Sequence, residues 1–372
     1  MVSTQSGYNL IMARVLFDGQ IFSIHKRGGI ARLFHSVYHE YLSSRDTAQY
    51  SGTNLSLGLI LSRYADSQKQ RIWQPPFAIG SRGMSKIALI VNWACLWLYR
   101  YEVVHSTYYF KGYLHRRPGT KHVVTLHDMI PEDLPEFFPG GNPHFQKEAF
   151  LKNADRIVCV SNFTKSRLDY YYPELASKAI VISSGVDFPR DLDLRIERNN
   201  TILYVGKRGA YKDFNTLLRA LPSILENEPR AQILAVGDQP FSESEYSLIL
   251  ELGLEEKVFQ RELAEAELQN AYRTCMLTAV TSHIEGFGLP VIEAMANGSL
   301  VVATNIPVFR EISNGAHIAF TPGDPKDLAL KIKELLSNKE TWDEMREVGR
   351  KTASQYSWAN ILNSLMQLYE EL

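Results

Sequence analysis

The feature that most constrains the fold of this chain is an alternation of short apolar runs with amphipathic, helix-like segments, which occurs twice. Apolar runs of strand length between helical patterns predict parallel sheets covered by helices. A charged stretch without an apolar face, residues 188–200, separates the two halves and is typical of a linker. The chain, at 372 residues, is also long for a single hydrophobic core. The sequence therefore predicts an α/β protein with two Rossmann-like, doubly wound domains that face a cleft.

The predicted elements can be given by their residue ranges. Strands are expected at 14–18, 54–61, 103–106, 122–127, 157–161, 179–183, 202–205, 232–236, 258–259, 277–280, 300–303 and 318–321. Helices are expected at 30–42, 86–99, 143–153, 165–171, 215–225, 243–252, 265–273, 289–297, 325–337, 339–353 and 358–372. Residues 62–85 are polar and interrupted by proline, which predicts a long loop.

The composition, with 45% apolar and 22% charged residues, is typical of a soluble globular enzyme. The net charge of −1 conceals an asymmetry, because residues 1–187 carry 21 Lys and Arg against 14 Asp and Glu, and the remainder carries 19 against 27. A basic half beside an acidic half indicates different partners, although scattered surface charge is an equal alternative. Three separate cysteines without a C-x-x-C pattern predict buried free thiols and a reducing cytosol.

Two stretches of the first half, residues 1–11 and 87–99, are candidates for a targeting signal and for a membrane-spanning segment, and the sequence favours neither interpretation. The chain opens with a polar leader, residues 1–11, rather than a charged and then apolar signal, and Met12 is an alternative start. The longest apolar stretch, residues 87–99, is shorter than the roughly 20 residues that a spanning helix needs. With Trp93 and Trp97 and basic flanks it suits a membrane interface, but its length favours a buried helix.

The most informative motif is residues 278–297, TAVTSHIEGFGLPVIEAMAN. An apolar strand leads into a Gly-Phe-Gly turn at 286–288, after which a proline opens a helix. Backbone amides at such a turn and the positive end of the helix dipole form an anion site. Glu285 and Glu293 flank this site, and carboxylates accept hydrogen bonds from sugar hydroxyls. The motif predicts a nucleotide sugar as ligand; an ordinary βα unit with solvated glutamates is the alternative.

Glu-x7-Glu around Gly-Phe-Gly-Leu-Pro resembles the signature of the retaining nucleotide-sugar glycosyltransferases of family GT4, which have the two-domain GT-B fold. The resemblance covers nearly the whole chain and is most specific over 201–323. It implies an acceptor-binding domain at 1–187 and a nucleotide-sugar-binding domain at 201–355. The final helix, within 356–372, would cross back onto the first domain.

A basic loop at 202–212, ILYVGKRGAYK, joins a strand to a helix and suits a diphosphate. Arginine can bind a diphosphate bidentately, whereas lysine acts as a point charge. A solvated basic loop is the alternative. The family has Arg and Lys at the positions of Arg208 and Lys212. The resemblance implies that these two residues neutralise the leaving diphosphate, so neither a metal nor another cofactor is expected.

Two more motifs end at the predicted cleft. The glycine pair in KRGGIAR, residues 26–32, permits close backbone approach, and the similar family motif implies that Gly29 faces the donor phosphate and the acceptor. The apolar strand in VVTLHDMIP delivers His127 and Asp128, which could act on a sugar hydroxyl or form a structural pair. The resemblance implies that His127 lies near the anomeric carbon of the donor and that Asp128 positions it.

Two weaker signals lie at a strand end and in the linker. Ser161 and Asn162 match the family, but a structural helix cap is an equally good interpretation. Asp191-Leu192-Asp193 has the Asp-x-Asp form of a metal site. Because it lies in the charged linker, we interpret it as solvated and predict no metal.

Together with these features, the resemblance implies a metal-independent, retaining glycosyltransferase that moves a hexose to a glycan or lipid-linked acceptor in bacterial surface polysaccharide assembly. GDP-mannose is suggested as the donor because it is common among such relatives. Glu293 would bind the ribose and Glu285 the donor sugar, either as a hydrogen-bond acceptor or as a nucleophile. The site would be completed by the turn residues Gly286, Phe287, Gly288 and Leu289. We expect a cytoplasmic protein whose basic first domain contacts an anionic membrane surface, and no nucleic-acid partner.

Two other functions remain open at this point. A nucleotide-sugar epimerase of similar fold would need further acids and bases in the cleft, which the motifs do not supply. A non-catalytic nucleotide-sugar-binding protein would bind the donor without turning it over.

Overall fold

A computed structural model describes residues 14–21, 29–45, 54–57, 90, 101–110, 114, 117–189, 196–237 and 239–372. The strands of the first sheet are β1 (Arg14–Phe17), β2 (Asn54–Leu57), β3 (Val103–Ser106), β4 (Lys121–Leu126), β5 (Arg156–Cys159) and β6 (Ala179–Val181). Those of the second sheet are β7 (Thr201–Val205), β8 (Gln232–Val236), β9 (Val258–Arg261), β10 (Leu277–Val280), β11 (Val301–Thr304) and β12 (Ile318–Phe320). We call the parts that hold these sheets the first and second domains; the domain boundaries given above stay predictions.

Helices connect the strands. Those of the first domain are α1 (Gly29–Arg45), α2 (Ile130–Asp133), α3 (Lys147–Asn153) and α4 (Asn162–Tyr171). Those that follow are α5 (Phe214–Leu225), α6 (Glu243–Glu251), α7 (Glu265–Thr274), α8 (Leu289–Ala296), α9 (Pro307–Ser313), α10 (Pro325–Ser337), α11 (Trp342–Ala353) and α12 (Trp358–Glu370). Short 3₁₀ helices occur at Pro135–Phe137, Pro173–Lys178, Ala210–Lys212, Lys339–Thr341 and Ser354–Tyr356.

Both sheets are parallel and doubly wound, as predicted. The first has the order β2-β1-β3-β4-β5-β6, and the second has the order β12-β11-β10-β7-β8-β9. The strand order of the second sheet reverses between β7 and β10. In open α/β sheets, ligands bind outside the carboxyl ends of the strands at such a switch point. The loops after β7 and β10 are therefore where a ligand site is expected.

The last helix, α12, packs on the first domain, which confirms the predicted crossing of the chain. Trp358, Leu362 and Tyr369 lie in one buried cluster with Val15 and Phe17 of β1. The two passages between the domains run side by side, because the Val186 amide donates to the Tyr356 carbonyl at 2.8 Å. Trp358 packs so closely against Gly185 that a Cβ there would overlap its ring.

The structure differs from the predicted elements in a few places. The helix predicted at 143–153 begins only at Lys147, and α4 begins earlier than predicted because Ser161 caps it, accepting from the Thr164 amide at 2.9 Å. Helix α9 was not predicted; it has two turns, begins with proline, and buries Val308, Phe309 and Ile312.

Some predictions fall on residues outside the described ranges. These are the leader 1–11, the loop 62–85, the helix 86–99 apart from residue 90, and Asp191-Leu192-Asp193. Cys159 and Cys275 are buried free thiols, as predicted. Within the described ranges, every helix is either too short or too polar to cross a membrane.

Candidate active site

The loop after β7 is fastened to the loop after β10 at the switch point of the second sheet. The hydroxyl of Thr281 donates to the Lys212 carbonyl at 2.7 Å, and the His283 amide donates to the Tyr211 carbonyl at 2.8 Å. Asp213 adopts a left-handed conformation, with φ of 47°, and its carboxylate caps α5. These contacts hold the basic loop against the start of the Glu-x7-Glu motif.

This arrangement brings the predicted residues Lys212 and Glu285 together. Glu285 Oε1 accepts from Lys212 Nζ at 2.5 Å and from the Ser282 hydroxyl at 2.8 Å. Glu285 is 8% exposed. Burial, and then the Glu285 carboxylate, raise the pKa of both Tyr204 and Tyr211. The site thus contains a buried, ion-paired carboxylate at the carboxyl end of β10.

The Gly-Phe-Gly turn after Glu285 touches the first domain. The Gly286 carbonyl accepts from the hydroxyls of Ser161 at 2.6 Å and Thr164 at 3.0 Å. A Cβ on Gly286 would overlap the carbonyl oxygen of His127. Glycine is required because two backbones meet here, and this contact joins two of the predicted site loops across the cleft.

The rest of the turn supports the start of α8. Phe287 is buried with its ring 5.5 Å from that of Tyr356, so its side chain belongs to the core. Gly288 has a φ of 95° and would overlap Phe309 if it carried a Cβ. A side-chain cap is not present at this helix start. Backbone amides therefore open α8, which suits an anion.

Gly29, in the first domain, contacts the start of α8 in the second domain. It begins α1 in the first domain, and a Cβ there would be 3.0 Å from Leu289 Cδ1. The two predicted glycine motifs, far apart in the sequence, are thus in contact across the cleft.

His127 lies at the end of β4 with its side chain partly exposed. Loss of solvent around the imidazole, together with the electrostatic effect of His144 and Lys147, lowers the pKa of His127 to about 3. The imidazole is therefore neutral near pH 7 and can both donate and accept a hydrogen bond.

The loop that carries His127 rests on a buried lysine. Lys147 Nζ donates to the Asp128 carbonyl at 3.1 Å and to Glu132 Oε2 at 2.8 Å. The Asp128 carboxylate accepts from the Ile130 amide at 3.1 Å, which makes it a turn cap. Its predicted role in positioning His127 stays a prediction.

Glu293, the second glutamate of the motif, lies on α8 and is 7% exposed. Its Oε1 accepts from Arg32 Nη1 at 2.6 Å, and its Oε2 accepts from the Tyr272 hydroxyl at 2.9 Å. Arg32 belongs to the first domain, so this carboxylate is also engaged across the cleft.

Arg208 is directed away from the Lys212–Glu285 pair. Its Nε donates to Glu245 Oε1 at 3.0 Å and its Nη2 to the carbonyl of Pro240 at 2.6 Å. The guanidinium also lies over the ring of Phe241, 5.0 Å from the centroid. The structure therefore gives Arg208 a buried ion pair that was not expected, and its contact with a diphosphate stays a prediction.

A clamp between the domains lies beside this site. The Glu311 carboxylate, on the unpredicted helix α9, accepts from the amides of Asn162 at 2.7 Å and Phe163 at 3.0 Å. These amides begin α4, where the positive end of the helix dipole favours a negative charge.

The functional residues that the sequence reasoning missed are those that act across the cleft or beneath a loop. They are Arg32, Lys147, Tyr272 and Glu311. Only Arg32 had a signal, because it closes the KRGGIAR motif. Among the described residues, no group of three or more His, Cys, Asp or Glu side chains could hold a metal ion.

Comparison with known proteins extends these observations. Residues 191–352 match the family described as glycosyl transferases group 1, and residues 60–190 match glycosyltransferase family 4. The chain is 27% identical to an uncharacterized glycosyltransferase of Methanocaldococcus jannaschii over 73% of its own length and 76% of that protein. It is 27% identical to an O-antigen chain mannosyltransferase of Salmonella typhimurium over 57% of its own length and 60% of that protein.

Solved structures show the same fold. Sucrose-phosphate synthase from Thermosynechococcus elongatus matches with a TM-score of 0.71 and 19% identity, over 97% of this chain and 98% of that one. HepE of Anabaena, solved with UDP and glucose, matches with a TM-score of 0.66 and 19% identity, over 97% of this chain and 100% of that one.

Two parallel-sheet domains, with a glycine turn between two carboxylates beside the switch point of the second sheet, form the GT-B fold. Because both family matches are to glycosyltransferases, the chain is an enzyme of the hexosyltransferase type. It belongs to glycosyltransferase family 4, the group 1 glycosyl transferases.

Proposed function

We propose that this enzyme transfers a hexose, with retention of anomeric configuration, from a nucleoside-diphosphate sugar to a glycan or lipid-linked acceptor. The observation that carries the proposal is the Lys212–Glu285 ion pair at the switch point, opposite the His127 loop. The loop of His127 touches the turn that follows Glu285, so a cation, a carboxylate and a neutral imidazole are carried by loops in contact with each other. These groups suit a leaving phosphate, the hydroxyls of a sugar and the developing charge, respectively.

In this proposal the second domain holds the donor. Lys212 and the amides that open α8 bind the diphosphate, and Arg208 joins them if its side chain leaves Glu245. Glu293 accepts hydrogen bonds from the ribose hydroxyls. Glu285 accepts hydrogen bonds from the sugar, and its hydrogen bond from Lys212 fixes its orientation.

The chemical step follows from the charges. As the bond between the anomeric carbon and the phosphate oxygen breaks, Lys212 stabilises the negative charge on the departing diphosphate. That diphosphate takes the proton of the acceptor hydroxyl while the acceptor oxygen bonds to the anomeric carbon on the same face. His127, neutral at physiological pH, donates to a donor hydroxyl near that carbon. Neutralisation by these side chains supports a reaction without a metal cofactor.

The donor and the pathway rest on relatives. O-antigen chain mannosyltransferases of Salmonella typhimurium and Escherichia coli, at 27% and 23% identity, support mannose as the transferred sugar and surface polysaccharide assembly. We keep GDP-mannose as the proposed donor. We therefore place the enzyme on the cytoplasmic side of the membrane, where the basic first domain would contact anionic lipid. Binding to phosphatidylglycerol vesicles, but not to phosphatidylcholine vesicles, would support that contact; indifference to both would exclude it.

The function is tested by incubating the protein with GDP-mannose or UDP-glucose and lipid-linked saccharide acceptors, with EDTA present. We expect release of the nucleoside diphosphate and an axial product linkage by NMR. Slow hydrolysis of the donor is expected without acceptor. An equatorial product would contradict retention, loss of activity with EDTA would contradict metal independence, and absence of any turnover would contradict the proposed donor class.

A further inference from the structure

Arg32 occupies a position that joins three acidic residues. It lies in the first turn of α1, and its Nη1 is 2.6 Å from Glu293 Oε1 and 3.7 Å from Glu265 Oε1. Its Nη2 is 3.4 Å from Asp187 Oδ2. The arginine comes from the first domain, whereas Glu293 and Glu265 belong to the second. One side chain therefore connects the first domain to the carboxylate proposed to hold the ribose.

Glu293 is fixed at both of its oxygens. Arg32 binds one oxygen and the buried Tyr272 hydroxyl binds the other at 2.9 Å. Each carboxylate oxygen has two lone-pair sites, so each can still accept one more hydrogen bond. Two vicinal ribose hydroxyls supply two donors. The carboxylate is thus held in one orientation with its remaining acceptor sites available to a diol.

The charges around Arg32 explain why the pairing persists. Burial disfavours the charged guanidinium, but the carboxylates of Glu293, Glu265 and Asp187 raise the pKa of Arg32. Burial raises the pKa of Glu265; Arg32 opposes this effect, and the Glu293 and Asp187 carboxylates add to it. Without the arginine, Glu293 would face two like charges in a buried site.

The third acidic partner of Arg32 is Asp187, which lies where the chain passes from the first domain to the second. Trp358 Nε1 donates to Asp187 Oδ1 at 2.8 Å, beside the place where both passages of the chain meet. The arginine therefore contacts Glu293 when the domains lie as they do here, with Gly286 against His127.

We propose that Arg32 is a positioning residue for the nucleotide of the donor: it orients Glu293 toward the ribose hydroxyls, and only when the cleft is closed. This inference rests on the proposed function of Glu293. Nucleotide binding and domain closure then share one contact, so each favours the other.

The test is calorimetric binding of GDP and UDP to the full chain, with donor kinetics alongside. Arg32→Ala should weaken binding of the preferred nucleotide about 10- to 100-fold, the cost of one or two charge-assisted hydrogen bonds. The donor KM should rise more than kcat falls. Arg32→Lys should recover only part of the affinity, because a point charge cannot contact three carboxylates at once. In Glu293→Gln, adding Arg32→Ala should cause little further loss.

Glu311→Ala serves as the control, since it breaks a contact between the domains that is separate from Glu293. If Arg32→Ala and Glu311→Ala weaken nucleotide binding equally, Arg32 acts through closure alone and the proposal fails. Additive losses in the Arg32→Ala, Glu293→Gln double variant would overturn it as well. If Arg32→Ala does not fold, the nucleotide affinities of Arg32→Lys and Tyr272→Phe are compared with that of the wild type instead. Wild-type affinity in both variants would reject the proposal. If the wild type binds neither GDP nor UDP, the proposed donor site falls and this inference with it.

Discussion

The two glutamates of one βα unit are buried to the same degree but are held in different ways. Glu285, 8% exposed, is bound by Lys212 and Ser282 of its own domain. Glu293, 7% exposed, is bound by Tyr272 of its own domain and by Arg32 of the other. The first carboxylate therefore keeps its partners when the domains separate, whereas the second loses its cationic partner. The sugar end of the proposed site is preformed, and the nucleotide end is completed by closure.

The largest effect is expected from a substitution at the preformed sugar end of the proposed site. Glu285→Gln keeps the shape of the side chain but removes the charge that faces Lys212. We expect kcat to fall about 10²- to 10³-fold, as when one electrostatic group of an active site is removed, while nucleotide affinity changes little. Transfer rates at saturating donor, together with calorimetry, measure both. A loss of less than about tenfold would show that Glu285 is not an electrostatic group of the reaction.

A smaller effect is expected from a substitution that prevents the two domains from closing. In Gly286→Ala the new Cβ would overlap the His127 carbonyl, so the domains cannot close fully. Transfer should fall about 100-fold, in line with a misplacement of roughly 1 Å at a reacting centre. Small-angle scattering should show a wider molecule in the presence of nucleotide. Gly140→Ala is the control, since a Cβ there meets nothing within 4 Å; normal activity in Gly286→Ala would refute the closed arrangement.

The cation of the preformed end gives a smaller effect. Lys212→Ala should weaken binding of a nucleoside diphosphate by about tenfold, the value of one charge-assisted hydrogen bond. Binding of the corresponding nucleoside should not change, because it carries no phosphate. Competition binding with both ligands distinguishes the two. Lys165→Ala removes a lysine that is paired with Asp169 on the surface of the first domain, and it should match the wild type in both assays.

The last prediction concerns His127 of the first domain and the pH dependence of the free energy of unfolding. The pKa of His127 is about 3 in the folded chain, against about 6.5 when unfolded. The unfolded state therefore binds the proton first, and stability falls as the pH drops below about 6.5, by up to about 1.4 kcal/mol per pH unit for each such histidine. Urea unfolding at pH 7.5 and 5 should show a shallower loss for His127→Gln. His105, which is buried with a pKa of about 3, should still make the variant less stable at low pH. If the variant and the wild type lose the same free energy of unfolding between the two pH values, the lowered pKa of His127 is wrong.

Much of the fold could be predicted because it depends on local patterns. Apolar strands between amphipathic helices determined the two parallel sheets, and strand ends showed where Glu285 and Lys212 would lie. The glycines at 286 and 288 were predicted to form a tight turn with an anion site, which stays a prediction; the structure adds that a Cβ would overlap His127 at 286 and Phe309 at 288. Helix α9 was missed because seven residues are too few to display a helical period.

The parts that could not be predicted depend on partners distant in the sequence. Arg32 and Glu293 are 261 positions apart, and Arg208 and Glu245 are 37 apart. Nothing in a loop sequence specifies which carboxylate an arginine will meet after two domains pack together. For that reason a diphosphate ligand and a buried ion pair were indistinguishable for Arg208.

The packing of α12 on the first domain has a consequence for synthesis of the chain. Domains often fold in order as they leave the ribosome, the N-terminal one first. Here Trp358, Leu362 and Tyr369 are part of the core around β1. That core stays incomplete until α12 has been synthesised, so the first sheet, although made first, reaches its final stability only after the second sheet has been made. A chain that lacks α12 would hold an intact second sheet and an unfinished first one.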